Sequence, residues 1–171
     1  GDVAASTDPS GGADAWHTVH VDNQVDFSSV SCSSATRCVA AGANTVAAST
    51  NPTGPASDWH LKVIRSGFGW LPSVACPSDS LCLTNDSNGH VYRSTDPYGA
   101  SPTWTEATLG SSTGTLSCPS TSRCVALADR AIRYTDAPTS SADWPTGASG
   151  FSWGVEQLTC PTTTFCLASS S

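Results

Sequence analysis

The chain has 171 residues, enough for one ordinary domain with a core of its own. Only 12% of them are charged, and the net charge of −7 sets 14 acids against seven bases, with Lys62 the sole lysine. Phosphate backbones are bound through Lys and Arg, so nucleic acid is a poor partner, and the acidity reads as solubility. No run approaches 18 consecutive apolar residues, so no membrane insertion by a helix is expected.

Residues 1–22 read as strand, turn and strand: Asp2 to Thr7, the turn Asp8-Pro9-Ser10-Gly11-Gly12, then Trp16 to Val21. A complete unit follows. Phe27 to Cys32 is a first strand, the cysteine loop a hairpin turn, and Cys38 to Ala41 a second strand. Thr45 to Thr50 makes a third strand and Trp59 to Ile64 a fourth, with turns at 42–44 and 51–54. The same series runs again from Trp70 through Leu109 and from Thr115 to about Ala148. The last segment, Val155 to Ser171, supplies only the first two strands of another copy.

The period is set by the cysteines. Cys32…Cys38, Cys76…Cys82, Cys118…Cys124 and Cys160…Cys166 each enclose five residues, and their starts lie 44, 42 and 42 residues apart. A fixed period of that size marks a repeat architecture. Two residues before each first cysteine stand Val30, Val74, Leu116 and Leu158; directly after each second one stand Val39, Leu83, Val125 and Leu167. Aliphatics held in register this way are core positions.

A second landmark is Asp8, Asn51, Asp96 and Asp136, each followed eight residues later by Trp16, Trp59, Trp104 and Trp144. A short Asp or Asn side chain at the head of a turn accepts backbone N–H bonds and pins the loop. The tryptophan then opens the next strand and packs against the neighbouring repeat. From the second cysteine to this landmark the chain takes 13, 14 and 12 residues; passing from Cys166 through Ser171 and re-entering at Gly1 takes 13 to Asp8. The first and last segments are thus complementary halves of a fourth repeat.

Four-stranded repeats of this length, one of them split between the termini, resemble the blades of a β-propeller. The Ser-Thr-Asp-Pro…Gly…Trp element is similar to the Asp-box (BNR) repeat of sialidase-like and sortilin-like propellers. It departs from that box in the Asp-to-Trp step, which is eight rather than five. Gly11, Gly54 and Gly99 also stand three rather than two positions after the Asp or Asn. The resemblance implies an all-β, four-bladed β-propeller of four-stranded antiparallel blades, about 25–66, 67–110 and 111–154, with a split blade 155–171 plus 1–24. The alternative is half of an eight-bladed ring made by two chains. It also places each cysteine loop between strands one and two of a blade, so that Cys32–Cys38, Cys76–Cys82, Cys118–Cys124 and Cys160–Cys166 become hairpin disulfides. Closing such a loop stabilises by roughly 2 kcal/mol on the chain-entropy model. Eight cysteines without methionine fit an oxidising compartment, and a chain starting at Gly1 fits a processed, secreted protein or an excised segment.

Catalytic signals are weak. Glu106 and Glu156 are the only glutamates, too few for a sialidase-like site built from a Tyr–Glu pair with several arginines. Tyr92, Tyr134, Arg93 and Arg133 occupy matched third-strand positions, which favours structural roles. The many serines lie in turns and flank cysteines, which gives no support to a serine nucleophile. Asp86-Ser87-Asn88-Gly89 starts like a calcium loop but lacks the later carboxylates and reads as a hairpin turn. No catalytic residue, metal or cofactor is expected. The aromatic pairs Phe68 and Trp70, and Phe151 and Trp153, fall in links between blades, on the face opposite the disulfides. With Asp22, Asn23, Asp26 and His90 they form the candidate ligand-binding set, suited to a glycan or protein ligand. The expected function is a secreted, non-enzymatic recognition module, lectin-like or protein-binding. An assembly subunit that forms a homo-oligomer through the split blade is the alternative, and a sialidase-like hydrolase is third.

Overall fold

The computed structural model describes residues 1–67, 69–140, 143–150 and 156–169. Strands β1 (Asp2–Ala5) and β2 (His17–His20) form a two-stranded antiparallel sheet. Strands β3 (Ser29–Ser34), β4 (Arg37–Gly42), β5 (Thr45–Ser49) and β6 (Trp59–Val63) pair in sequence order into a complete meander. So do β7 (Ser73–Ser78), β8 (Leu81–Asn85), β9 (His90–Ser94) and β10 (Thr105–Thr108). The third meander comprises β11 (Thr113–Ser120), β12 (Arg123–Ala128), β13 (Ala131–Thr135) and β14 (Thr146–Ala148). Strands β15 (Gln157–Thr162) and β16 (Phe165–Ser169) make a final two-stranded sheet. All four expected disulfides are present, each across the hairpin of a first and second strand.

Each sheet leans on the one before it through the two aliphatic columns. Val39 and Val74 share one buried cluster, Leu83 and Leu116 a second, and Val125 and Leu158 a third. Strands β4 and β5 are buried on both faces, which explains their small side chains: Ala40 and Ala47 face one neighbour while Val39, Ala41 and Val46 face the other. Side-chain hydroxyls tie the innermost strands together. Val74 N donates to Ser29 Oγ (3.1 Å), Cys76 N to Ser31 Oγ (2.9 Å), Leu116 N to Ser73 Oγ (3.2 Å) and Cys160 N to Ser117 Oγ (3.0 Å). An inner strand therefore meets its neighbour with edge amides satisfied.

The expected joining of the two ends into one blade does not occur. β16 pairs with β15 and β1 with β2, and the array of sheets stays open. The rotation of each sheet on the last does not bring the two halves together, and each rests on its own neighbour. Val3, Val21 and Phe27 hold the first half on Cys38, Ala40, Ala47 and Trp59 of the first meander. Leu158 and Cys160 hold the last half on Val125 and Leu127 of the third. The two halves thus sit on different meanders, with all three meanders between them.

The turn landmark has a structural explanation. Asp8, Asn51 and Asp96 each donate their N–H to the hydroxyl two residues earlier, on Ser6, Ser49 and Ser94. Each then accepts, on its carbonyl, the N–H of the glycine three residues later. The side chain folds beneath that glycine: a Cβ on Gly99 would sit 2.0 Å from Asp96 Oδ2, and one on Gly54 2.3 Å from Asn51 Nδ2. In the third meander the equivalent residue is Ala137 rather than Asp136, because Ala137 N donates to Thr135 Oγ1 and Ser140 N to the Ala137 carbonyl. Ala137 has no carboxyl to accommodate, and Ser140 replaces the glycine. Asp136 instead accepts from Arg123 Nε at 2.7 Å. Of the landmark tryptophans, Trp59 and Trp144 are buried and Trp104 packs on the cluster of the first meander, whereas Trp16 is exposed.

The carboxylate and the glycine are thus coupled. Gly99→Ala is expected to destabilise by about 1–3 kcal/mol through overpacking against Asp96. Adding Asp96→Ala, which recreates the Ala137 and Ser140 arrangement, should restore most of that loss. Urea unfolding of the two singles and the double gives the coupling directly; simple additivity would contradict it.

Candidate functional site

The face opposite the disulfide hairpins is built from the links between sheets and the hairpins joining each second and third strand. Two of those hairpins, β4–β5 and β12–β13, close on two residues, Ala43-Asn44 and Asp129-Arg130. All four of these residues have φ between 36° and 62°, as a type I′ turn requires. Their polar side chains fasten the adjoining links. Asn44 Nδ2 donates to the Gly67 carbonyl, and the Asp129 carboxylate accepts from Ser111 N (2.9 Å) and Ser112 N (3.0 Å). Those bonds, led by the Ser111 amide, hold the Asp129 carboxyl below its usual range.

The third hairpin, β8–β9, is different. Its turn runs from Asp86 to Gly89, and Asp86 is fully buried at its root. One carboxylate oxygen, Oδ1, accepts from the amides of Asn88 and His90, both at 2.9 Å. The other, Oδ2, accepts from Arg65 Nη1 at 2.6 Å and the Tyr92 hydroxyl at 3.1 Å, with His90 Nδ1 at 2.9 Å. Burial alone would raise the Asp86 pKa, but the bonds from the His90 amide and ring, Arg65 and Asn88 outweigh it, and the carboxyl lies below its usual value. Burial, and then the Asp86 charge beside it, push the Tyr92 phenol well above its normal range. His90 Nε2 looks outward towards Glu106 Oε1, 3.8 Å away. Ser87 N donates to the Trp70 carbonyl at 3.1 Å, so the same turn fixes the backbone of a tryptophan that is 41% exposed.

His90 and Trp70 are therefore brought to one locality, together with Arg65, Asp86, Tyr92 and Glu106. Phe68, Phe151 and Trp153 lie outside the described residues. Asp22, Asn23 and Asp26 sit in the link before β3, with local duties. Asp22 Oδ1 accepts from Gln24 N (2.6 Å) and Val25 N (3.0 Å), and Asn23 Oδ1 meets His20 Nε2 at 2.8 Å. The His20 pKa is raised, first by its bond to Asp2 and then by that to Asn23. The Asp26 carbonyl passes so close to Gly42 that a Cβ there would fall 1.9 Å away. Sequence reasoning passed over Asp86 and Arg65. Asp86 read as part of a hairpin tip, and its guanidinium partner lies 21 residues earlier with no local pattern to connect the two. A cleft of about 680 Å³ also opens at the rim, between His60, Leu61 and Lys62 on β6 and the turn 97–102.

No protein-family model and no curated protein matches the sequence. Solved structures do match. One described as YCF48 bound to D1 peptide is 15% identical, with a TM-score of 0.60 over 76% of this chain and 44% of its own. Raptor from Chaetomium thermophilum is 12% identical, with a TM-score of 0.63 over 85% of this chain and 14% of its own. The WD40 β-propeller domain of Doa1 is 13% identical, with a TM-score of 0.63 over 91% of this chain and 52% of its own. At these identities the likeness establishes the fold, that of β-propeller blades. The chain spans about half the length of the YCF48 and Doa1 chains and a smaller part of Raptor.

Asp86 is the group on which this locality turns. Asp86→Asn removes the buried charged acceptor of the Asn88 and His90 amides and the Tyr92 hydroxyl and is expected to cost about 1–3 kcal/mol. The pH dependence has a definite sign. A carboxyl whose folded pKa is depressed stabilises above its unfolded pKa, and that stability is lost as pH falls through the folded value. Wild type should therefore lose stability relative to Asp86→Asn below about pH 4, with the gap narrowing towards pH 2. Chemical denaturation at pH 7, 4 and 2.5 measures it; a constant gap would be the contrary result.

Proposed function

We propose that the chain is a secreted, non-enzymatic recognition module that binds a protein segment on the face opposite its disulfides. The observation that carries this is Trp70: an exposed indole whose backbone carbonyl accepts the Ser87 N–H of the Asp86–Gly89 turn, a turn whose root, Asp86, also binds the guanidinium of Arg65. Tryptophan, tyrosine and arginine are the residues that dominate protein-binding hot spots, and a preorganised anchor loses little entropy on binding. The buried Asp86 hub serves to hold the anchor rather than to react, since both its oxygens are already occupied. A structure similar to this chain is described as bound to a peptide, which supports the choice of a peptide over a glycan. Four disulfides belong to an oxidising environment, which supports secretion.

Phage-displayed peptide selection on the folded protein, run beside a glycan array, tests the reading. Selected peptides should lose at least tenfold in affinity on Trp70→Ala and remain unchanged on Lys62→Ala at the rim cleft. Peptides indifferent to Trp70→Ala would overturn the site. Binding confined to glycans would replace the protein ligand with a lectin function.

A further inference from the structure

The two ends of the sheet array carry an unmet version of the contact that joins every other pair of sheets. Inside the array, the residue after each second cysteine packs on the residue two before the next first cysteine: Val39 with Val74, Leu83 with Leu116, Val125 with Leu158. The remaining members of the two columns are Leu167 and Val30. Leu167 is 61% exposed where its equivalents are 0–5%, and Val30 is 63% exposed where its equivalents are 5–8%. Phe165 on β16 and Trp16 beside β2 are also exposed, so four of the seven large apolar side chains exposed among the described residues lie at these two ends.

We propose that a second copy of this chain fills both ends: β15–β16 of each copy pairs with β1–β2 of the other, closing a ring of eight blades from two chains. The register follows from the complete sheets. There the second cysteine faces a hydroxyl residue, Cys38 opposite Ser49, Cys82 opposite Ser94 and Cys124 opposite Thr135. Ser49, Ser94 and Thr135 each accept the N–H two residues on, and Ser6 does the same for Asp8 N. Cys166 of one copy thus faces Ser6 of the other, and Leu167 faces Ala5. The partner's first meander then brings Val30 onto Leu167, and Thr159 Oγ1 takes the Cys32 N–H, as Ser31 takes that of Cys76 and Ser117 that of Cys160.

A second copy fits better than closure within one chain because the array stays open, its first half-sheet held on the first meander and its last on the third. Each end carries what the other lacks: β15–β16 are the first and second strands of a repeat, and β1–β2 the third and fourth. Three meanders and two half-sheets make four blade equivalents, and twice that lies within the range of propellers, typically four to eight blades. Pairing β16 with β1 also removes two open sheet edges and gives each two-stranded hairpin, marginal by itself, the extra strands it needs. The surface is separate from that around Trp70, so this inference stands or falls independently of the ligand-binding reading.

Sedimentation equilibrium on the full chain, with hydrogen exchange on the same samples, decides it. The expected mass is twice 17.5 kDa, with the amides of β1 and β16 protected. Because Val30 and Leu167 are exposed in the single chain, Val30→Glu and Leu167→Glu should leave the melting temperature of the dissociated chain, compared at dilutions where wild type is also monomeric, unchanged. They should weaken the dimer at least about a hundredfold by burying a charge. A monomer with those amides protected would mean closure within one chain, and a monomer with them unprotected would mean open ends; either overturns the proposal. So would a mass that grows without limit, or a dimer indifferent to both substitutions.

Discussion

The interaction on which everything else depends is the packing of one small sheet against the next. A meander of four strands, three to eight residues each, cannot bury a face by itself. Here the aliphatic beside each second cysteine lodges against the aliphatic before the next first cysteine, and burying each such side chain contributes about 1.5–3 kcal/mol. The same contact sets the direction of the array, since it is always made from one sheet to its successor. The serine bridges from Ser29, Ser31, Ser73 and Ser117 act at the same seam, where an inner strand would otherwise present unpaired amides. With so few charges, the molecule relies on these seams and on its disulfides rather than on ion pairs. One inter-sheet ion pair among the described residues, Arg37–Asp79, is half-exposed and contributes little.

Much of this was legible in the sequence because the repeat constrains it several times over. The cysteine spacing fixed the period, the period aligned the aliphatic columns, and the resemblance to propeller blades gave the strand order and the four pairings. The slip at Asp136 shows the limit of alignment by residue type: an aspartate one position away looked like the landmark. What identifies Ala137 is the hydroxyl of Thr135 beneath its amide, and that is a bond rather than a letter. The glycine three residues on was legible as a departure from the Asp-box pattern, yet its cause, a side chain folded under it, lies in the fold alone.

What stayed hidden is of two kinds. The Asp86 hub joins residues from a link, a turn and strand β9, and such contacts leave no periodic trace. The open ring is a matter of angle. Repeat spacing fixes how many strands each sheet has, but not how far each sheet rotates on the last, and that rotation decides whether four sheets close or form an arc. Complementary end segments are compatible with both outcomes, so the split repeat alone could not choose between them.

The two functional surfaces follow from this division of labour. Disulfides staple the hairpins of one face, and the turn landmarks secure the outer strands. The opposite face has no covalent staple. It is held instead by side chains that reach from hairpins to links: Asn44 to Gly67, Asp129 to Ser111 and Ser112, and Asp86 to Arg65. Such polar ties fix the backbone of a link while leaving its side chains free to vary. Only the middle hairpin exchanges the two-residue turn for a longer one with a buried carboxylate, and it is there that an exposed tryptophan is held. A recognition site is best placed where the scaffold departs from its own repeat, because a ligand can then distinguish that position from its copies.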